Sequence, residues 1–321
     1  MHIIIVTPAP PGSRHGNRNT AQRWAAHMRA LGHRVDIEQQ WSGQEGDVLV
    51  ALHARRSHAS IKAWKAAHPQ RPLALVLTGT DLYRDIRSDK DARESLQLAD
   101  RMVVLQSAGL LELDVGLRKK TRVIHQSVRT VHRQASPRSY CLITVIGHLR
   151  EEKDPFRAAI ALTRLPGSVP IRLVHLGQAM SPEFAREARA LMRREPRYRW
   201  LGELPHAGAM RWLARSHAMV ISSLMEGGAH VVSEAIGIGA PVIASAVSGN
   251  MGLLGNRYAG YFPAGDDEAL SRLLARVAGD AAWRSRLEAA VMSRRRLVDP
   301  ELERRSLAKL LADMTRHVSR G

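Results

Sequence analysis

The segment at residues 226–234 reads Glu-Gly-Gly-Ala-His-Val-Val-Ser-Glu and carries two carboxylates separated by seven residues. Residues 217–223 before it have the apolar pattern of a strand. Residues 231–239 after it have the pattern of a helix that ends at a glycine and is followed by proline. A strand–loop–helix turn of this kind lies at the carboxyl edge of an open parallel sheet, where α/β folds bind ligands. The segment is therefore a candidate binding site.

The residue types indicate which ligand such a turn can hold. If the helix begins near Ala229, Glu234 lies about 7.5 Å along its axis, whereas Glu226 lies in the preceding loop. The backbone N–H groups of Gly227 and Gly228, at the positive end of the helix, favour negative charge. One acid can accept hydrogen bonds from ribose hydroxyls while the other faces a hexose, which suits a sugar joined to a nucleoside diphosphate. Equally, the motif alone allows both glutamates to be solvated surface residues.

Length and composition limit the class of protein. A chain of 321 residues exceeds what one core usually organises, so we expect two domains, at residues 1–135 and 136–321. No apolar run approaches the roughly 20 residues of a membrane span. Cys141 is the only cysteine, which excludes a disulfide framework and suits the cytoplasm. The 15 histidines show no zinc-ligand spacing, and Asp89 and Asp91 look like surface residues of a helix start, so we expect no metal.

The net charge of +18 favours anionic partners. A nucleic-acid or acidic-surface binding protein is one interpretation of that charge. Aromatic residues make up only 4% of the chain, and no basic stretch is rich in aromatics for base stacking. We therefore expect the anionic partner to be a small molecule and not a nucleic acid.

Strand-like and helical runs alternate along the whole chain, and the polar segment 129–139 reads as a linker between two such series. This pattern predicts an α/β protein with two doubly wound sheets and a cleft between their carboxyl edges. The predicted strands are residues 3–7, 35–37, 48–52, 73–77, 102–105 and 122–124 in the first half, and 141–146, 171–176, 198–201, 219–222, 241–244 and 261–262 in the second.

Basic residues follow the first strand of the second series. Residues 146–155 place His148, Arg150 and Lys153 at the end of that strand, where arginine and lysine can hold phosphate oxygens. The same residues can instead form a solvated, self-paired charge loop. Two further loops contain candidate binding residues, although each loop by itself is only weak evidence for a site. They are Leu204 after a Trp-Leu-Gly turn and Asn250 in the glycine-rich stretch 248–255.

Polar residues also follow strands of the first series. The candidate residues for binding an acceptor are Gly16, Asn17 and Arg18 after the first strand, His53, Arg55 and Arg56 after the third, and Thr78, Gly79, Thr80 and Asp81 after the fourth. Helix capping explains the Thr-Gly-Thr-Asp stretch at 78–81 as well as acceptor binding does. A basic first helical turn likewise explains Arg55 and Arg56.

Together these pieces resemble the GT-B glycosyltransferases, in particular the large group with an E-x7-E motif that includes glycogen and sucrose synthases. The resemblance implies that Glu226 contacts the donor sugar, Glu234 the ribose and Lys153 the diphosphate. At the position where the group usually has a diphosphate-binding arginine, this sequence has His148, with Arg150 two residues later. The resemblance further implies that Leu204 lies at the base, that Gly227, Gly228, Ala229 and Asn250 line the nucleotide-sugar site, and that Glu226, Lys153 and Arg150 are catalytic.

One departure concerns the acceptor. The group commonly has a histidine near the reacting sugar where this sequence has Thr78, which argues against ordinary activation of a sugar hydroxyl. The strings Ala-Leu-His-Ala-Arg-Arg at 51–56, Leu-Thr-Gly-Thr-Asp-Leu-Tyr at 77–83 and Gly-His-Leu-Arg-Glu-Glu-Lys-Asp-Pro at 147–155 look like the selenosugar synthases of selenoneine biosynthesis.

That narrower resemblance implies transfer of glucose or N-acetylglucosamine from a UDP-sugar to selenophosphate. The products are a 1-seleno sugar, UDP and phosphate. The UDP-sugar is a co-substrate, and no separate cofactor is implied. An anionic acceptor needs cations, and we expect Arg18, Arg55, Arg56 and His15 to supply them. The alternative is an ordinary GT-B transferase with a hydroxyl or thiol acceptor.

Overall fold

The computed structural model describes residues 1–13 and 16–318, which form two compact units. One unit is Met1–Ser127 with the segment from Asp299 onward, and the other is Val128–Val298. Each contains a six-stranded sheet in which every described strand pair is parallel.

The first unit has the strand order β2-β1-β3-β4-β5-β6. Alternate residues of β1 face opposite layers: Ile3 and Ile5 pack with Trp24 on one side, and Ile4 packs with Trp64 on the other. The elements are β1 (His2–Val6), α1 (Gly16–Ala30), β2 (Arg34–Glu38), β3 (Val48–Leu52), α2 (His58–Ala67), β4 (Leu73–Leu77), a π-helical turn (Asp81–Asp85), α3 (Ile86–Ser88), α4 (Lys90–Leu98), β5 (Arg101–Val104), a 3₁₀ turn (Ser107–Glu112), α5 (Val115–Lys119) and β6 (Thr121–Val123).

The second unit has the order β12-β11-β10-β7-β8-β9. Its strands and helices enclose one large apolar core. The elements are β7 (Cys141–Ile146), a 3₁₀ turn (Glu151–Lys153), α6 (Arg157–Thr163), β8 (Ile171–Leu176), α7 (Pro182–Arg194), β9 (Tyr198–Trp200), α8 (His206–Arg215), β10 (Ala218–Ile221), α9 (His230–Ile238), β11 (Val242–Ser245), α10 (Ser248–Leu254), β12 (Tyr261–Phe262), α11 (Asp267–Gly279), α12 (Ala281–Met292) and a 3₁₀ turn (Arg295–Val298).

The last helix, α13 (Pro300–Val318), returns to the first unit. Its apolar face buries Leu307, Leu310, Leu311 and Met314 against the layer that contains Trp24. The expected domain boundary therefore needs correction in two respects. The second unit begins at Val128, and the chain from Asp299 belongs with the first unit because its buried leucines complete that core.

The twelve strands predicted from the apolar runs are all present, within one residue at their ends. Strands such as β3 and β4 are apolar at every position because both faces of a parallel sheet are covered by helices. Among the described residues, no helix combines the length and the apolar character that a membrane crossing requires.

Candidate active site

The strand order of the second sheet reverses between β7 and β10, which are hydrogen-bonded neighbours. Open α/β sheets bind ligands at such a switch point, beyond the carboxyl ends of the strands. A small pocket lies at this place. Its lining includes Gly147, His148, Lys153, Pro155, His175, Ser222 and Ser223, together with the last apolar residues of β7 and β10.

Glu226 and Lys153 meet beside this pocket. The side chain of Glu226 is only 8% exposed, and its Oε1 forms an ion pair with Nζ of Lys153. The hydroxyl of Ser223 donates a hydrogen bond of 2.6 Å to the same oxygen. The structure thus brings together the two residues for which the sequence predicted sugar and diphosphate contacts. Ser223 joins them, and nothing in its sequence context indicated this role.

The loop that carries Lys153 is held by hydrogen bonds to the backbone and the side chain of Asp154. Lys153 closes a 3₁₀ turn, and Asp154 after it has the left-handed φ of 43°. The hydroxyl of Ser222 donates to the carbonyl of Asp154 at 2.8 Å, and Nε of Arg157 donates to its carboxylate at 2.7 Å. Left-handed backbone costs a non-glycine residue energy, and these contacts stabilise it at Asp154, next to Lys153.

The glycine-rich stretch after β11 supports Glu226 from behind. A Cβ at Gly249 would lie 2.6 Å from the Cβ of Glu226 and would overlap its carbonyl group, so only glycine fits there. Asn250 is fully buried, and its amide donates to the carbonyl of Ser245 at 3.0 Å. Ser245 in turn donates to the carbonyl of Ser223 at 2.6 Å. Direct contact between Asn250 and a sugar stays a prediction. The hydrogen bonds described here show that Asn250 helps to position the loop that carries Glu226.

Glu234 lies in the second turn of α9, whose N-cap is Ala229, as the helix prediction required. Its carboxylate is 8% exposed and accepts a hydrogen bond of 2.6 Å from Nε2 of His206. Nε2 of His230 is 3.5 Å from the same oxygen. The hydrogen bond to Glu234 raises the pKa of His206. Sequence reasoning missed both histidines, although His230 stands one helical turn before Glu234.

The remaining predicted donor-site residues lie on neighbouring loops. Nδ1 of His148 accepts a hydrogen bond of 3.2 Å from the backbone N–H of Gln178. Arg150 is about half exposed, and its Nε lies 3.9 Å from a carboxylate oxygen of Glu152, beyond hydrogen-bond distance. The buried Gly227 and the half-buried Gly228 lie between β10 and α9, and the half-buried Leu204 lies two residues before α8.

In the first unit, Asp81 ties together the loops after β3 and β4. It is fully buried, and its carboxylate accepts N–H bonds of 3.0 Å from Ala54, 3.0 Å from Thr78 and 2.8 Å from Gly79. It opens the π-helical turn, an element often found at functional sites. Binding of an acceptor by Asp81 stays a prediction. The observed bonds commit its carboxylate to shaping the loop.

His53 has a left-handed φ of 77° and is almost fully buried. Its Nε2 lies 3.2 Å from the hydroxyl of the half-buried Thr80 and 3.9 Å from a carboxylate oxygen of Asp85. Burial lowers the pKa of His53, which keeps the ring neutral. Arg55 donates from Nε to Asp85 at 3.0 Å, and Arg56 is exposed.

The predicted residues after β1 lie in the first turn of α1, where Gly16 is exposed and Asn17 is half-buried. Nε and Nη1 of Arg18 are buried, and no described residue forms a hydrogen bond with either atom. Arg18 as a whole is half-buried, and a partly buried guanidinium with unpaired nitrogens is suited to an anion. His15 lies outside the described residues.

Comparison with known proteins identifies the class. The family model for glycosyl transferases group 1 matches residues 129–292, which cover most of the second unit. The chain therefore belongs to the glycosyl transferases group 1 family. The chain is also similar to a glycosyltransferase 1 domain-containing protein from Xenopus tropicalis, at 23% identity over 74% of this chain and 77% of that protein.

Solved structures show the fold. The crystal structure of Anabaena Alr3699/HepE in complex with UDP and glucose matches with a TM-score of 0.79 at 16% identity, over 98% of this chain and 100% of that chain. Sucrose-phosphate synthase from Thermosynechococcus elongatus matches with a TM-score of 0.81 at 15% identity, over 98% and 99%. The predicted GT-B fold, built from two Rossmann-like domains, is thereby confirmed.

Proposed function

We propose that this glycosyltransferase uses a UDP-sugar as donor and binds it on the second unit. The observation that carries this proposal is the Lys153–Glu226 pair at the switch point of the sheet, with Glu234 on the helix that follows. A cation, a sugar-facing carboxylate and a second carboxylate in a helix are the groups that a nucleotide sugar needs. The structures of Anabaena HepE with UDP and glucose and with UDP-glucose support the choice of donor.

Each group has a role that its position allows. Lys153, with Arg150, stabilises negative charge on the departing UDP, and the N-terminus of α9 adds its dipole. Glu226 binds the hexose, because it is buried and oriented by Ser223. Glu234 accepts hydrogen bonds from the ribose hydroxyls, which compete with His206 for the carboxylate.

The acceptor in this proposal is selenophosphate. Its selenium is a soft anionic nucleophile that needs no base, which agrees with Thr78 at the position where the group commonly has a histidine. Selenium attacks C1 of the sugar, the C1–O bond to UDP breaks, and UDP leaves with the bonding electrons. Water then cleaves the selenium–phosphorus bond, which gives phosphate and the 1-seleno sugar. Arg18, Arg55 and Arg56 supply the positive charge for the acceptor.

A second candidate is an ordinary transferase with a hydroxyl or thiol acceptor. The neutral His53 beside Thr80 favours it, because an unprotonated imidazole can act as a general base. The choice of hexose, glucose or N-acetylglucosamine, is part of the same test.

The test is to incubate the protein with UDP-glucose or UDP-N-acetylglucosamine and selenophosphate, and to follow UDP release and selenium-containing sugar by mass spectrometry. We expect a selenosugar in amounts equal to UDP, formed about 10²–10³-fold more slowly by Lys153→Ala. UDP release that produces no selenosugar, but sugar on an added hydroxyl or thiol acceptor, would establish the second candidate instead.

The acceptor residues have their own test. Replacing both Arg55 and Arg56 with alanine should raise the selenophosphate concentration required and leave UDP binding intact. The matched control replaces Arg304 and Arg305, an adjacent arginine pair on α13. An unchanged requirement in the Arg55/Arg56 variant would remove these two residues from the acceptor site.

A further inference from the structure

Three potential metal ligands converge in the first unit, and none of them is assigned above to donor or acceptor binding. His58 is the first residue of α2, and Asp91 and Glu94 lie one turn apart on α4. Nε2 of His58 is 3.7 Å from Oδ1 of Asp91 and 3.4 Å from Oε2 of Glu94. One ligand atom from each residue lies within 4.8 Å of the other two.

Hydrogen bonding fixes the tautomer of His58, that is, which ring nitrogen carries the proton and which presents a lone pair to the carboxylates. The hydroxyl of Ser95 lies 2.8 Å from the carbonyl of Ala54 and 2.9 Å from the carbonyl of Asp91. Its single proton is therefore committed to a backbone carbonyl, and towards His58 it can only accept. Nδ1 of His58, 3.0 Å from that hydroxyl, must be the N–H donor. In the neutral ring, Nε2 then presents a lone pair to two carboxylates.

The separations do not suit direct hydrogen bonds. Distances of 3.4 and 3.7 Å are longer than a charge-assisted N–H···O bond, which is about 2.7–2.9 Å. A zinc ion held about 2.0–2.2 Å from nitrogen and oxygen ligands in a tetrahedral site keeps two donors about 3.4 Å apart. The observed spacing of His58 from Asp91 and Glu94 therefore matches a cation bound between them.

The surroundings leave these ligand atoms available. Lys62 pairs with the other carboxylate oxygen of Glu94, Oε1, at 3.2 Å, so Oε2 still faces His58. The side chain of His58 is 11% exposed, whereas that of Asp91 is 61% exposed. An ion can thus enter from solvent past Asp91 and meet a buried, preoriented imidazole.

We propose that His58, Asp91 and Glu94 form a site for a divalent transition-metal ion, with zinc as the fitting example and water as its fourth ligand. A histidine that binds such an ion usually donates its second N–H to an acceptor that orients the ring, and the Ser95 hydroxyl is that acceptor for His58. The site braces α2 against α4 and thereby fixes the loop of His53 and Arg55, which immediately precedes α2. The expectation of no metal rested on spacing along the chain, where Glu94 stands far from His58.

The experiment uses the full chain without an affinity tag, freed of metal by a chelator. Zinc is titrated in competition with a chromophoric chelator. We expect one tight equivalent, at least 10-fold weaker binding with Glu94→Gln, and loss of the site with His58→Ala. Ser95→Ala should weaken binding about 10–100-fold, the range for losing a group that orients a ligand. Glu187→Gln, an exposed glutamate on α7, is the control and should bind as the parent protein does.

Two further readouts separate this site from adventitious binding to other histidines. Cobalt at one equivalent should give the intense visible absorption of a four-coordinate ion in the parent protein and not in Glu94→Gln. Zinc should raise the melting temperature of the parent protein and of Glu187→Gln by the same amount, and that of Glu94→Gln by less. Weak or absent binding by the parent protein, or equal affinity in Glu94→Gln, would overturn the proposal. The cluster would then be a set of polar contacts among the three side chains.

Discussion

The carboxylate of Glu303 offers a sharp test of how α13 is held on the first unit. Glu303 is 3% exposed and accepts hydrogen bonds from Nε of Arg23 at 2.9 Å, Nε1 of Trp24 at 2.8 Å and the backbone N–H of Ser127 at 2.9 Å. The Ser127 hydroxyl also contacts it, and His27 lies 3.3 Å away. One side chain thus joins the C-terminal helix to α1 and to the last residue of the N-terminal segment.

The magnitude follows from its pKa. Burial by itself would raise the pKa of Glu303, but the hydrogen bonds from His27 and Ser127 and the charge of Arg23 outweigh burial and lower it from 4.5 to about 2. At 1.36 kcal/mol for each pKa unit, ionisation of Glu303 contributes roughly 3 kcal/mol to folding. Because the folded-state pKa is depressed, this contribution is complete above pH 4.5 and is lost as the pH falls towards 2.

The perturbation is Glu303→Gln, which keeps the shape and removes the charge. Urea unfolding followed by circular dichroism should show a loss of roughly 3 kcal/mol at pH 7, as estimated from the pKa, and the loss should shrink steadily below pH 4.5. Glu301→Gln is the control on the same helix, because its pairs with Arg304 and Arg305 are exposed and worth about 1 kcal/mol or less. A penalty at Glu303 that is the same at pH 7 and pH 3, or no larger than that of the control, would refute the reasoning.

Four further predictions concern the donor site. Lys153→Ala should lower kcat about 10²–10³-fold, the loss typical when a donor to developing negative charge is removed, and steady-state kinetics that show only a raised KM would contradict this role. Glu234→Gln should weaken UDP binding about 10-fold or more by calorimetry, since a hydrogen bond to a charged group contributes about 1.5–3 kcal/mol. Because the bond to Glu234 raises the pKa of His206, UDP binding should also weaken as the pH falls through that pKa, and a pH dependence that persists in His206→Ala would exclude this competition. Gly249→Ala should abolish UDP binding in a protein that remains folded by circular dichroism, since the added Cβ would overlap the Glu226 backbone, and normal affinity would show that the loop adapts.

The sequence was sufficient wherever local pattern decides structure. The buried strands β3 and β4 are uninterrupted apolar runs, the pattern typical of a short strand covered on both faces. The start of α9 next to Ala229 followed from two glycines before an apolar run, and it put Glu234 in the second turn. The carboxyl ends of the predicted strands then indicated which residues lie near the switch point, because parallel strands end at one edge of the sheet.

Contacts between distant segments could not be predicted from the sequence. The spacing of Leu307, Leu310 and Leu311 shows that α13 has a buried face, but it does not tell which sheet that face covers. The bond between His206 and Glu234 joins two helices across 28 residues, and no local pattern marks it.

The Thr-Gly-Thr-Asp stretch shows a different limit. Capping and ligand binding call for the same residue types, so the types alone left both readings open. Only the three N–H bonds to Asp81 reveal that its carboxylate is already engaged within the protein.

A crystal structure of the protein with UDP tests the central claim most directly. We expect the diphosphate beside Lys153 and the N-terminus of α9, and the ribose hydroxyls within hydrogen-bond distance of Glu234, with His206 displaced from that carboxylate. A diphosphate bound elsewhere, or a ribose that leaves the His206–Glu234 bond intact and makes no contact with Glu234, would contradict the account.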